Sequence, residues 1–256
     1  MKLLNDWLGF FKPLQVKNLQ IFWSGQACAL IGMWLQVTAM GILVYSISGG
    51  SATAVGLLAA LNALPFFLGG MLLAGLGDRF DRRKLLIIVQ SVQWLVAAVL
   101  FLLTFVDALQ LWHLYAAGLV MGINQTVGFP TQQAFVGDLI PRKQLQEAVG
   151  MYSLVFNTCR AVGPALAGYI IAVWGAATAF GGNVLASLPL IGCLVSLKGR
   201  ISEAAAPIKQ RGSGRKVSGL KAVLSTRSLL FIMLSALIQN ICGQSLYQLV
   251  PALMHG

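Results

Sequence analysis

The densest group of charged side chains in this sequence is the octet Gly77–Lys84, GDRFDRRK, in which six of eight residues are charged. Basic groups at the end of an apolar helix fix the orientation of that helix in a membrane, whereas acidic groups contribute little to orientation. Asp78 therefore needs another explanation, and one is an interaction with the positive N-terminal end of the helix that follows. The basic residues of the octet are Arg79, Arg82, Arg83 and Lys84.

A second candidate for chemistry is Arg160, the only basic residue inside a long apolar stretch. It lies about twelve residues, or roughly 18 Å of helix, from the start of that stretch. A charge at this depth is costly in lipid and normally faces a cavity or a partner. Helical spacing places Ser153 and Asn157 on the same face, which Gly150 and Gly163 extend. Two roles for Arg160 remain equally open. It is either a structural residue that hydrogen-bonds between helices or part of a gate or anionic-substrate site.

Amide side chains form a third set of candidates. Within a membrane, amides either hydrogen-bond between helices or line a cavity. Gln132, Gln133 and Gln248 lie near the predicted membrane edges, where we expect no special role. The more central amides, for which lining a cavity is the alternative to interhelical bonding, are Gln36, Gln125 and Asn240.

Motifs of common enzyme classes do not occur in this sequence. There is no HExxH, GxSxG or GxxxxGK, so we predict neither an enzyme nor a bound cofactor. The four cysteines lie in apolar stretches without a CxxC partner or a nearby histidine, which predicts packing rather than a disulfide or a metal site. His113 is a candidate proton site, because proton-driven carriers commonly use an intramembrane Asp, Glu or His.

The composition of the chain indicates a membrane protein. Hydrophobic residues make up 57% of the 256 residues and charged residues only 10%, well below the share of a soluble domain. A helix needs roughly 20 apolar residues to cross a bilayer, and seven stretches qualify. They are Leu19–Ile47, Ala52–Leu76, Leu85–Val106, Leu111–Phe135, Ala148–Trp174, Ala177–Leu197 and Ser228–Val250.

Basic residues alternate between the connections of these stretches. All of them except Arg160 fall in the N-terminal segment or after the second, fourth and sixth stretches. The positive-inside rule makes that side cytoplasmic, which predicts a multi-pass protein of the inner (plasma) membrane with a cytoplasmic N-terminus. Because the net charge of +11 lies between apolar segments, it does not indicate nucleic acid. The predicted segments are a cytoplasmic N-terminus (1–18) without a signal peptide, a six-helix bundle (19–197), a basic linker (198–227) and a seventh helix (228–256).

The octet resembles the loop signature D-R-x-G-R-R of the major facilitator superfamily of transporters. Asp78, Arg79, Arg82 and Arg83 match that signature, and Asp81 stands in its glycine position. The variant DRFDRR is similar to the branch that contains enterobactin exporters and macrolide efflux pumps. Two further segments resemble that branch. They are Phe129-Pro130 with Gln133 and Asp138-Leu139-Ile140-Pro141-Arg142, and the exporter-type GP motif of the fifth stretch, Arg160 to Gly168, with Gly163, Pro164 and Gly168.

The resemblance implies an all-α membrane fold: the six-helix N-terminal half of a transporter, built from 3+3 inverted repeats, plus a seventh helix. In that superfamily the first, fourth and seventh helices line the central cavity, which favours cavity lining for Gln36, Gln125 and Asn240. It also implies that Asp78 and its arginines form a gate that bridges to a second half.

The implied function is efflux of a small amphipathic organic compound, siderophore- or drug-like, by alternating access, with protons as the candidate coupling ion. Members of the superfamily usually have twelve helices, and this sequence ends soon after a seventh stretch. We therefore expect a truncated member. The alternative is a non-transporting membrane remnant, or a half-unit that needs a partner subunit.

Overall fold

The computed structural model describes residues 17–73, 80–140 and 144–196, and these residues form six α-helices without a strand. The all-α prediction is thus confirmed over these ranges. The seventh stretch, the basic linker and Asn240 lie outside the described residues, as do Asp78 and Arg79. The helices are α1 (Lys17–Ile47), α2 (Ala52–Leu73), α3 (Arg82–Phe105), α4 (Leu111–Leu139), α5 (Leu145–Trp174) and α6 (Ala176–Ser196).

Four of the described helices are long and apolar enough to cross a membrane, namely α1, α3, α5 and α6. A shorter apolar helix runs over Ala52–Phe66 of α2. The fourth predicted stretch is also helical, and its amides lower its hydropathy. The predicted start of α3 at Leu85 is wrong, because the helix begins at Arg82 and takes three residues of the charged octet into its first turn.

The helices alternate in direction. Trp23 of α1 contacts Tyr152 of α5, and Trp34, farther along α1, contacts Phe156, farther along α5. These two helices are therefore parallel. Helix α6 runs antiparallel to α1, because Leu190 meets the start of α1 and Asn183 meets its middle. Short connections make this reversal possible, and Gly175, with a φ of 83°, supplies the left-handed residue between α5 and α6.

Close helix contacts depend on glycine at a few positions. A Cβ on Gly25 would come within 2.9 Å of the Leu190 Cα atom of α6. A Cβ on Gly163 would come within 2.5 Å of the Trp34 Cβ atom. Because both distances are shorter than carbon atoms tolerate, the approach of α1 to α5 and α6 requires these glycines.

The packed interior contains two main hydrophobic clusters, one toward each end of the helices. Phe22, Phe135 and Leu194 belong to the cluster at the end where α3 begins. Leu114 and Phe180 belong to the cluster at the opposite end. Each cluster draws on α1, α3, α4, α5 and α6, so the bundle positions its polar residues from several helices at once.

Candidate functional site

Asp81 begins helix α3 by capping it. Its Oδ1 atom accepts hydrogen bonds from the backbone N–H groups of Arg83, at 2.9 Å, and Lys84, at 3.2 Å. A side-chain oxygen at this position satisfies donors that have no partner within the helix. Asp81, the residue in the glycine position of the loop signature, thus caps this helix end. The interaction predicted for Asp78 with the same helix end lies outside the described residues.

Arg82 joins the start of α3 to the end of α4. Its Nη1 atom donates to both carboxylate oxygens of Asp138, at 2.8 Å and 3.0 Å. The two side chains are 25% and 22% exposed, so the pair is mostly shielded from the surroundings. In the sequence Asp138 flanks a predicted loop. Its predicted position at the same membrane side as the octet was the one feature that could have indicated Asp138 as the partner of Arg82.

Arg83 joins the same end of α3 to α6. Its Nε atom donates to the Leu194 carbonyl oxygen at 2.6 Å, and one Nη atom donates to the Val195 carbonyl oxygen at 2.9 Å. These carbonyls belong to the last turn of α6 among the described residues. We call Asp81, Arg82, Arg83, Asp138 and the Leu194–Val195 carbonyls the charged end of the bundle. It connects α3, α4 and α6.

Gln36 lies at the centre of a buried polar network. It has no exposed surface, and its amide oxygen accepts a hydrogen bond from the Asn183 Nδ2 atom of α6. Its Nε2 atom donates to the Met121 Sδ atom of α4 at 3.0 Å, and Ser187 bonds Asn183. Three helices enclose Gln36 in the described bundle, and both ends of its amide are hydrogen-bonded. Its role in lining a cavity stays a prediction.

The amides of α4 separate into two kinds. Asn124 is buried and donates to the Val89 carbonyl oxygen of α3 at 2.9 Å, so it connects two helices. Gln125 is half-buried. The cavity-lining role of Gln125 stays a prediction.

One face of α5 carries the residues that helical spacing had grouped. Ser153 and Asn157 are exposed, and the Asn157 Nδ2 atom donates to the Ser153 carbonyl oxygen at 2.7 Å. Arg160 is half-buried one turn farther along. Of the GP motif, Gly163 packs directly against Trp34, whereas a Cβ on Gly168 would meet nothing within 4 Å. Only the first of these two glycines is required by packing among the described residues.

His113 participates in the start of α4. Its Nδ1 atom accepts a hydrogen bond from the Gln110 backbone N–H at 3.0 Å, and its ring lies 3.8 Å from the Trp112 ring, centroid to centroid. This contact gives the histidine a structural role. Its use as a proton site stays a prediction.

A pocket between α4 and α5 brings together residues that the sequence analysis had not connected. Aromatic and amide side chains alternate along it, and Gln132 and Gln133, expected to have no special role, both contribute. The cavity measures about 100 Å³. It is lined by Phe129, Gln132, Gln133, Val136, Val149, Tyr152, Ser153, Phe156 and Asn157. The spacing of Phe129, Gln132, Gln133 and Val136 along one helix face was a signal that sequence analysis had available.

Residues 8–256 match the model of the transmembrane secretion effector family, which is part of the major facilitator superfamily. This chain belongs to that family. The match covers nearly the whole sequence and confirms the superfamily that the loop signature had indicated. Together with the apolar helices, it makes the chain an integral membrane protein.

Curated relatives agree with this assignment. The chain is similar to the staphyloferrin A transporter of Staphylococcus aureus, with 29% identity over 62% of this chain and 40% of the relative. It is 28% identical to the MFS-type transporter YfiS of Bacillus subtilis, over 66% of this chain and 40% of the relative. It is 25% identical to macrolide efflux protein A of Streptococcus pyogenes, over 68% of this chain and 41% of the relative. The chain thus aligns with about two fifths of the length of each.

Proposed function

We propose that this chain forms the N-terminal half of a secondary transporter that exports a small amphipathic organic compound across the inner (plasma) membrane by alternating access. In this proposal residues 19–197 are the six-helix half, residues 198–227 are the cytoplasmic linker, and residues 228–256 begin the second half. The N-terminus is cytoplasmic, and protons are the candidate coupling ion.

The packing pattern of the six helices is the observation that carries the proposal. Helix α1 packs on α5 and α6, and α4 packs on α2 and α3. Exchanging α1, α2 and α3 for α4, α5 and α6, respectively, turns the α1–α5 contact into the α4–α2 contact. The same exchange turns the α1–α6 contact into the α4–α3 contact. The exchange also preserves the relative direction of the paired helices. Helix α1 is parallel to α5, and α2 is parallel to α4, because Ala54 contacts Tyr115 and Asn62 contacts Gly118. Such symmetry supports 3+3 inverted repeats, a design typical of secondary transporters that work by rocking.

The charged end supports a gating role for the octet. Arg82 and Arg83 connect the start of α3 to α4 and α6 by hydrogen bonds. In the proposed mechanism Asp78 and Arg79 contact the second half and favour the state closed to the cytoplasm. Arg82 and Arg83 anchor that contact to the bundle.

The substrate class follows from the relatives. One is named for a siderophore and another for macrolide efflux. Gln125, Asn157 and Arg160 are the proposed substrate-facing residues among those described, and Asn240 is proposed outside them. His113 is the proposed proton site.

Export assays test the proposal. The reading frame that contains this sequence, with whatever follows Gly256, is expressed in a strain that lacks its own exporters, and accumulation of a panel of siderophores and drugs is measured. We expect reduced accumulation of at least one compound, and Asp78→Asn should nearly abolish that effect at equal membrane abundance. Unchanged export by the Asp78→Asn variant would contradict the gate. Arg160→Ala should reduce export more than membrane abundance, and the reverse would support the structural alternative.

The second candidate function is a non-transporting remnant or a half-unit that needs a partner subunit. The chain aligns with about two fifths of the length of these relatives. Sequencing the genomic reading frame past Gly256 separates the candidates. A five-helix continuation supports the transporter, and a stop codon together with a stable product supports the half-unit.

A further inference from the structure

A second cavity lies inside the bundle, between helices α1, α3, α4 and α6. These helices form a ring, in which α1 packs on α4 and α6, and α3 packs on the same two helices. Helices α1 and α3 therefore face each other across the ring. The cavity measures about 30 Å³, and all four helices contribute to its walls. The walls include Gln26 of α1, Gln90 of α3, Gly128 of α4 and Leu194 of α6.

This cavity belongs to the interior of the bundle. Seven of its nine lining residues are buried, and the other two, Gln90 and Gln132, are half-buried. Phe22 and Leu194 are each only 1% exposed. Whatever occupies the cavity is therefore surrounded by protein, and a polar group that reaches it is separated from bulk solvent.

Two amide side chains of the cavity make no hydrogen bond with the part of the chain that the structure describes. Gln26 is 6% exposed, and Gln90 is half-buried. Gln36, ten residues farther along α1, is by contrast bonded directly to Asn183. A buried amide without a partner costs free energy, so native proteins pair such groups with protein or with ordered water. The Gln132 Nε2 atom has no accessible surface, which leaves the Gln26 and Gln90 amides as the groups to be paired.

The size of the cavity restricts what can pair with these amides. About 30 Å³ is far below the range of about 300–1,000 Å³ of small-molecule sites. A water molecule needs about 10–15 Å³ of such space and two to four polar partners, so one or two waters fit. Each amide offers an oxygen that accepts and N–H groups that donate. Two amides on facing helices therefore provide enough partners for a bridging water.

The cavity begins next to the charged end of the bundle. Arg83, Leu86 and Gln90 follow one another at helical spacing on one face of α3. Leu86, Gln90 and Leu194 line the cavity, and the Leu194 carbonyl oxygen also accepts a hydrogen bond from Arg83. The cavity thus continues inward from a polar helix end, where water is available to enter it.

We propose that this cavity holds one or two structural waters, which hydrogen-bond the Gln26 amide of α1 and the Gln90 amide of α3. The waters bridge two helices that face each other across the ring, as the direct bond between Gln36 and Asn183 connects α1 to α6. This role belongs to the architecture of the bundle and does not depend on the exported compound.

X-ray radiolysis of the full chain in lipid nanodiscs tests for these waters. Radiolysis converts water into hydroxyl radicals, which oxidise side chains beside the water that produced them. Phe22 lines the cavity and is 1% exposed, whereas Phe180 is 0% exposed and belongs to the opposite hydrophobic cluster. We expect Phe22 to be oxidised several times faster than Phe180, as measured by mass spectrometry of the peptides. This comparison needs no variant.

Substitutions then assign the waters to the two amides. Gln26→Leu and Gln90→Leu each remove hydrogen-bonding groups at a similar side-chain size, so the rate of Phe22 oxidation should fall about fivefold. Gln20→Leu is the matched control on α1, because Gln20 is exposed, and it should leave the rate unchanged. The Phe180 rate reports folding in every variant, since unfolding would expose that ring.

Two results would overturn the inference. Equally slow oxidation of Phe22 and Phe180 in the unmodified chain would show that the cavity is dry. Unchanged Phe22 oxidation in both Gln26→Leu and Gln90→Leu, with Phe180 still protected, would show that these amides do not hold the water. Because oxidation is measured without any transported compound, either result leaves the proposed export function to its own test.

Discussion

The charged end and the α4–α5 pocket both contain polar side chains, but they differ in how these groups are satisfied. At the charged end Arg82 and Arg83 find a carboxylate and helix-end carbonyls at 2.6–3.0 Å. In the pocket the buried Gln132 donor lacks an acceptor among the described residues. Satisfied polar groups stabilise an arrangement of helices, whereas a buried donor without an acceptor costs free energy. The difference therefore separates a polar connection that stabilises the bundle from a polar group that does not.

The largest expected effect concerns the helix contact that supports the pocket. Gly163→Ala places a Cβ against Trp34 and should reduce the free energy of unfolding by about 2 kcal/mol through overpacking. Gly168→Ala is the matched control, because that position has open space among the described residues. Thermal unfolding in detergent measures both variants. Equal melting temperatures of the two variants would show that the distance between α1 and α5 can increase without a loss of stability.

A smaller effect tests the satisfied ion pair. Asp138→Ala leaves the Arg82 guanidinium without its carboxylate and should lower the free energy of unfolding by about 1–2 kcal/mol, since the pair is only partly exposed. Lys84→Ala is the control, because Lys84 is exposed and at the same helix start. If the two variants unfold at the same temperature, the charged end is not a structural connection.

The helix cap gives the next prediction. Asp81→Ala removes the acceptor for two backbone N–H groups and should lower the free energy of unfolding by about 1 kcal/mol. Asp81→Gly, which restores the residue of the loop signature, should lower it by only a few tenths of a kcal/mol. The comparison is made by thermal unfolding of the two variants. A glycine variant less stable than the alanine variant would contradict capping as the role of Asp81.

The smallest effect on stability is expected in the pocket. Ser153 and Asn157 are exposed, and among the residues that the structure describes they donate to backbone carbonyls of their own helix. The double substitution Ser153→Ala with Asn157→Ala should change the free energy of unfolding by less than about 0.5 kcal/mol. Thermal unfolding in detergent measures this change. A large loss of stability would show that Ser153 and Asn157 stabilise the bundle, as the charged end does.

Several features of the fold could be predicted from local sequence. Apolar stretches longer than a membrane thickness predicted the positions of all six described helices, because lipid requires backbone polar groups to be satisfied within a helix. The start of α3 was misplaced because charge was taken to indicate a loop. In the structure the N-terminal cap by Asp81 allows Arg82, Arg83 and Lys84 to enter the first turn.

The candidate site was less predictable. Gln36 and Gln132 are both amides in apolar helices, and nothing in their local sequence distinguishes a buried network from a pocket. Asn183, the partner of Gln36, lies 147 residues away. The burial of an amide depends on which helices surround it, and that arrangement is not encoded in the spacing of one segment.

By itself the sequence determined that this is a helical membrane protein with its basic residues sorted to one side, because hydrophobic length and charge placement act locally. It also carried the loop signature that the family match confirmed. Only the tertiary structure decided which carboxylate pairs with Arg82, which carbonyls of α6 accept from Arg83 and which amides other helices enclose. Those outcomes depend on side chains from 56 to 147 residues apart along the chain, whose distances are fixed only when the helices pack.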